Sequence, residues 1–144
     1  MKNILALILV TTFMVGCVST PTPLSEVVLT PSERMYAFQD TPAGKYSTIV
    51  VTRDQGINTS ACYIGLWVDA KLASRIDVGE QAKFYLSSGE HLLKVGVDPQ
   101  GRGLCGVTSF VAWVQRETIL RDGEIKYFRI SINAHGQPDI HRAD

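Results

Sequence analysis

From about residue 46 onward, apolar and polar side chains alternate with period two. Cys62, Ile64, Leu66 and Val68 interleave with Tyr63, Gly65, Trp67 and Asp69. Successive residues of a strand point to opposite faces, so this pattern predicts a strand with one buried face. The alternation recurs in Ala82, Phe84 and Leu86, and in Leu93, Val95 and Val97. It is cleanest in Phe128, Ile130 and Ile132, set against Tyr127, Arg129 and Ser131. Turn signals separate these runs at Asp69-Ala70-Lys71, Asp77-Val78-Gly79, Ser87-Ser88-Gly89 and Asp122-Gly123, the last being the strongest hairpin signal of the chain. All six prolines fall outside the predicted strands, as ladder hydrogen bonding requires. Residues 110–121 are less regular, with Val111 and Trp113 on one face and Ala112, Val114 and Leu120 on the other. A bulge or a strand covered on both faces would produce that. About seven or eight short strands with frequent turns predict an all-β fold, an antiparallel β-sandwich of immunoglobulin-like or transthyretin-like topology. A partly closed barrel is the alternative.

Before the alternation begins, Pro21, Pro23 and several Ser and Thr residues occupy 18–30 without sustained periodicity, which predicts a flexible tether. Thr30-Pro31-Ser32-Glu33 then offers an N-cap, a proline at the first helical position and a capping-box glutamate. These predict a short helix over 31–38.

The first residues have a different pattern: Lys2, an apolar run of twelve residues over 4–15, then Gly16 and Cys17. That is the layout of a secretory signal. The run is too short to stay as an anchor, since a bilayer-spanning helix needs about 20 apolar residues. Met14-Val15-Gly16-Cys17 resembles the bacterial lipobox, with Met14 where Leu is usual. An ordinary secretory signal with an incidental cysteine is the competing reading. The resemblance implies cleavage before Cys17, a diacylglyceryl thioether on its sulfur, and a palmitate-type acyl chain on the new amino terminus. Several chains together anchor far more firmly than one. Val18, where many enterobacterial lipoproteins retained in the inner membrane carry aspartate, points to the outer membrane. The expected organisation is a signal peptide over 1–16, a lipidated tether over 17–30 and a β-sandwich over 31–144.

The 128 residues that remain after cleavage suit one domain. Lys and Arg number 14 against 14 Asp and Glu, and loss of Lys2 leaves the mature part near −1. No basic excess suggests nucleic acid as a partner. With Cys17 used for lipid, Cys62 and Cys105 are left as an even pair in a compartment that permits disulfides. They are read as bonded, the alternative being two buried thiols packed as small hydrophobes.

Leu66-Trp67-Val68-Asp69-Ala70-Lys71, followed by the run from Phe84-Tyr85-Leu86 to Ser87-Ser88-Gly89-Glu90-His91 and Leu92-Leu93-Lys94-Val95, resembles the PEGA-type and DUF2846-type envelope modules. In those, a strand ends in a Val-Asp-Gly-Lys turn and a later one begins with Leu, two residues, Gly, one residue and His. Ala70 replaces the turn glycine. The likeness covers about a quarter of the mature chain. It supports the sandwich and brings no catalytic residues.

Chemistry-bearing residues are few. His91, His135 and His141 stand at no metal-ligand spacing from another His or Cys, so neither a metal nor a cofactor is expected. Cys105 with His91 could be written as nucleophile and base, but a disulfide to Cys62 explains the same thiol with fewer assumptions. Ser87 and Ser88 lack the Gly-x-Ser-x-Gly elbow. Two thiols are too few for the cluster of an iron–sulfur dehydratase. The segment 98–106 holds a Gly-x-Gly pair without a following helix and fails the dinucleotide test. Its plain reading is a mobile connection between strands. Its functional reading is a partner-binding loop, with Arg102 and Leu104 as contacts and Cys105 fixing one end. Asn58-Thr59-Ser60 matches a glycosylation sequon, whose meaning lapses in most bacteria.

Together these features predict a lipid-anchored, non-enzymatic envelope lipoprotein that binds another protein or the cell wall, or supports an envelope assembly. Two alternatives are a phage-related lipoprotein that blocks an outer-membrane receptor and a small periplasmic hydrolase or lyase. The latter would need a convergent acid, base and nucleophile, and the sequence displays none.

Overall fold

The computed structural model describes residues 18–57, 60–98, 100 and 113–143. Nine strands follow one another: β1 (Val28–Leu29), β2 (Tyr46–Arg53), β3 (Ile64–Val68), β4 (Lys71–Ile76), β5 (Glu80–Ser87), β6 (Gly89–Val97), β7 (Trp113–Leu120), β8 (Ile125–Ile132) and β9 (Pro138–Arg142). They form two sheets packed face to face, a five-stranded one in the order β1-β5-β2-β8-β9 and a four-stranded one in the order β4-β3-β6-β7. The β-sandwich expected from the alternation is the fold.

The alternating residues fill the space between the sheets. Ile49 and Val51 of β2, Phe84 and Leu86 of β5, and Phe128, Ile130 and Ile132 of β8 meet Ile64, Leu66 and Val68 of β3 and Leu93 and Val95 of β6. Nearly all of these side chains are inaccessible to solvent. Burying such a side chain contributes roughly 1.5–3 kcal/mol, which makes this layer the main stabilising element.

Several finer expectations need correction. Two of the seven strand pairings among the described residues are parallel, β1 with β5 and β2 with β8. Both join strands distant in sequence, and alternation carries no information about their direction. The helix predicted over 31–38 is only a 3-10 turn at Ser32–Arg34 with Pro31 as its cap, and no side chain caps it. The reason is competition from β4: Met35 bridges Ser74, and the Tyr36 N–H donates to the Ala73 carbonyl at 2.8 Å. The segment predicted as a flexible tether is held against the domain from Ser19 onward. Thr20 and Gln55 exchange two backbone hydrogen bonds, Thr22 donates to the Arg53 carbonyl, and β1 completes the sheet edge. Its bonds are mostly to backbone, which a Pro- and Thr-rich composition does not reveal.

Asp122-Gly123 does form a turn, with Gly123 at φ 70, but it is not a hairpin. β7 belongs to the four-stranded sheet and β8 to the five-stranded one, so the turn carries the chain across the sandwich. There the Arg121 N–H donates to the Glu124 carboxylate at 2.9 Å, which holds that carboxyl below its ordinary range. Its folded pKa is depressed, so this small contribution exists above the ordinary carboxylate range and is lost as pH falls through the lowered value. β7 shows no bulge within its described length and keeps continuous register with β6. Its irregular pattern reflects an edge strand that buries little besides Thr118 and Leu120.

The tight hairpin is β3–β4. Asp69 and Ala70 both have positive φ, 49 and 67, the signature of a type I′ turn. An alanine there bears a strain that glycine avoids. Ala70→Gly is therefore expected to raise the stability by about 0.5–1 kcal/mol, read as a higher denaturant midpoint at unchanged slope.

Candidate functional site

The outer face of the four-stranded sheet carries the densest cluster of aromatic and cationic side chains in the described chain. Register builds it. Arg75, Gly65, Gly96 and Trp113 stand side by side across β4, β3, β6 and β7, and Trp67, Lys94 and Gln115 form the next row. Gly65 and Gly96 leave bare backbone beneath the two indoles. A Cβ on Gly65 would fall inside the Trp67 ring, and one on Gly96 would press on Trp113. Glycine inside a strand often marks such a close approach. The indoles meet edge to face with centroids 4.7 Å apart, and the Lys94 ammonium lies 3.8 Å from the Trp113 centroid.

Two arginines extend the face. Arg75 pairs with the buried Asp98 carboxylate, donates to the Tyr36 hydroxyl at 2.8 Å and to Gln100 at 2.8 Å, and stacks over the Tyr36 ring. Burial works against its charge, and the hydrogen bonds to Asp98 and Tyr36 together outweigh it, so its pKa lies above the ordinary arginine value. Arg34 lies over the Tyr63 ring and forms a two-pronged pair with Glu80, whose hydrogen bonds likewise raise its pKa. The guanidinium groups are thus held by carboxylates and lie over aromatic rings. Trp113 and Tyr36 are exposed, while Trp67, Tyr63, Lys94 and Arg75 are half-buried.

The residues singled out by sequence fall elsewhere or outside the described chain. Cys17, Arg102, Leu104 and Cys105 lie outside the described residues. Cys62 is half-buried just before β3, and its carbonyl accepts from Arg53 at 2.7 Å. His91 is buried at the start of β6, its Nδ1 2.6 Å from the Asp69 carboxylate and its Nε2 2.8 Å from the Ser87 carbonyl. Asp69 also accepts from the Leu92 N–H. This arrangement pins the β3–β4 turn to the β5–β6 corner, and the Ser87 contact runs through its carbonyl, not its hydroxyl. His135 is exposed in the loop before β9, and His141 is half-buried on β9.

The aromatic face was missed by alternation, which set Trp67 opposite the buried residues and left the facing of Trp113 open. The available signal was Gly65 two residues before Trp67, both on one strand face. Because the Gly65 Cβ would overlap the indole, Gly65→Ala is expected to displace Trp67 and cost about 1–3 kcal/mol. Loss of the coupled-tryptophan band in circular dichroism would report it, and an unchanged band would contradict the packing described.

A separate cleft of about 530 Å³ on the outer side of the five-stranded sheet is lined by Thr22, Leu24, Asp54, Tyr127 and Arg129. Its charges are engaged with each other, since Arg129 grips Asp54 at 2.9 and 2.5 Å, raising the arginine pKa. Among the described residues no group of three or more His, Cys, Asp or Glu could hold a metal. No described helix is long and apolar enough to cross a membrane. Compared with models of known families and with curated proteins, the chain matches none.

Proposed function

We propose that the chain is a non-enzymatic envelope lipoprotein, anchored through lipid on Cys17 and acting as a binding or structural module. The anchor reading is supported by the short apolar run and by Met14-Val15-Gly16-Cys17. Val18 favours the outer membrane, with the domain in the periplasm. The likeness to PEGA-type and DUF2846-type modules belongs to the same reading.

The observation that carries the binding role is the aromatic and cationic face around Trp67, Trp113, Tyr36 and Arg75. Tryptophan, tyrosine and arginine are the residues that dominate binding energy at protein interfaces. Such a face suits an envelope protein, or the sugar rings of the cell wall, better than it suits a reaction. Of the 98–106 segment, the described residue Gln100 accepts a hydrogen bond from Arg75 of this face. Arg102 and Leu104 are proposed to extend the same surface.

The Cys62–Cys105 disulfide is part of the proposal. The Asp98 N–H donates to the Tyr63 carbonyl at 3.1 Å, so the residue that follows β6 lies beside the residue that follows Cys62. A bridge closing 43 positions would contribute about 4 kcal/mol on the chain-entropy account. Intact mass of the natively secreted protein, unfolded and alkylated without reduction, should show no added alkyl group on Cys62 or Cys105; two would remove the bond.

The binding role is tested by crosslinking in living cells to identify the partner, then comparing wild type with Trp113→Ala and Tyr36→Ala. Truncating a central anchor commonly costs 2 kcal/mol or more, so capture should weaken about 30-fold in a folded variant. Undiminished capture by both variants would reject the face.

A further inference from the structure

The way the amino-terminal segment is fixed has a consequence for how the domain meets the membrane, given the lipid on Cys17 proposed above. Ser19 is locked in place: its N–H donates to the Ile132 carbonyl at 3.0 Å and its hydroxyl accepts from the Ile132 N–H at 2.7 Å. Thr20 pairs with Gln55 immediately after. One residue, Val18, therefore separates the lipidated cysteine from chain fixed to the sandwich. Two extended residues span at most about 7 Å. The headgroup layer of one leaflet is roughly 5–8 Å thick. A domain held this closely has no slack in which to swing free of the surface.

The same end of the sandwich is unusually apolar on its outside. It comprises the last residues of β2 and β8 and the first of β3, β5 and β7, tied together where buried Arg53 donates to the carbonyls of Cys62 and Ile76. Val18, Leu24, Val28, Leu29, Ile57 and Trp113 are six of the eleven exposed large hydrophobic residues among those described. Leu24 is 89% and Ile57 84% exposed, although nothing in the sandwich core requires them to be apolar. Tyr46 and Ile125 lie toward the opposite end, about 23 Å and about 17 Å from Arg53 along β2.

We propose that this end is a membrane-docking surface, seated on the lipid headgroups with Val18 and Ile57 in contact and Trp113 at its margin. Tryptophan is favoured at that depth because its ring is apolar and its N–H polar. The aromatic face then stands beside the bilayer, directed along it, and the opposite end points into the periplasm.

The test uses the full lipidated protein purified from membranes, with its lipid on Cys17 verified by mass, in vesicles of phosphatidylethanolamine and phosphatidylglycerol. A benzophenone amino acid replaces Ile57 in one sample and Ile125 in another; both positions are exposed, so folding is spared. Irradiation should give phospholipid adducts at position 57 and none above the dark control at 125. Verified, vesicle-bound protein with no adduct at 57, or with equal adducts at both, would overturn the orientation and leave the anchor standing. Protein adducts replacing lipid adducts at 57 in whole membranes would assign the surface to a protein partner instead. Protein lacking lipid on Cys17 would remove both the anchor and the docking.

Discussion

Replacing Arg53 by alanine is expected to lower the stability by about 3–5 kcal/mol, the largest effect foreseen for a single side chain here. Arg53 is 1% exposed, although it ends a strand whose other inward residues are Ser47, Ile49 and Val51. It donates through Nη1 to the Cys62 carbonyl at 2.7 Å and the Ile76 carbonyl at 3.0 Å, reaching from the five-stranded sheet to the ends of β3 and β4. Alanine would leave a cavity and two carbonyls without that donor, and each unmet buried group costs about 1–3 kcal/mol. Methionine would fill much of the volume but donate nothing, so Arg53→Met should fall between wild type and alanine. Thermal unfolding should show Arg53→Ala lower by on the order of 10–20 °C. A fall of a degree or two would mean that the two sheets do not depend on this contact.

The second large effect concerns location. On the proposed anchor, Cys17→Ser is expected to abolish membrane attachment, because a serine hydroxyl does not take up the thioether-linked lipid. Loss of several acyl chains removes about 0.8 kcal/mol for every buried methylene, far more than exposed Ile57 or Leu24 could replace. After cell fractionation the variant should leave the membrane pellet and accumulate as unprocessed or soluble protein. Unchanged membrane association with unchanged processing would sink the lipid anchor.

The sandwich was legible because its signal is local. Phe128, Ile130 and Ile132 alternate cleanly, and all three are buried against Leu66 and its neighbours. The pairing partners were not legible. Asp122-Gly123 has the chemistry of a hairpin turn yet serves as a crossing between sheets, since turn geometry fixes how the chain reverses and tertiary packing fixes which strands then pair. Thr30 to Glu33 satisfies the capping pattern, but the bonds that Met35 and Tyr36 gain from β4 outweigh a helix of two turns. Apart from the Ser19 hydroxyl, the docking of Ser19 and Thr20 runs through backbone groups, which side-chain composition does not encode. Of the candidate site, Trp67 was visible only as an outward residue, and the facing of Trp113 was left open by the irregular pattern around it. Their meeting depends on cross-strand register between β3, β6 and β7, with Gly65 as its one local trace.

The central claim is attachment through Cys17, and intact mass spectrometry of the protein extracted from membranes tests it most directly. The account predicts a chain beginning at Cys17, heavier than the polypeptide by a diacylglyceryl group and an amide-linked acyl chain, with fragment ions placing both on that residue. A mature chain of unmodified polypeptide mass, or one that begins at any other residue, would contradict it.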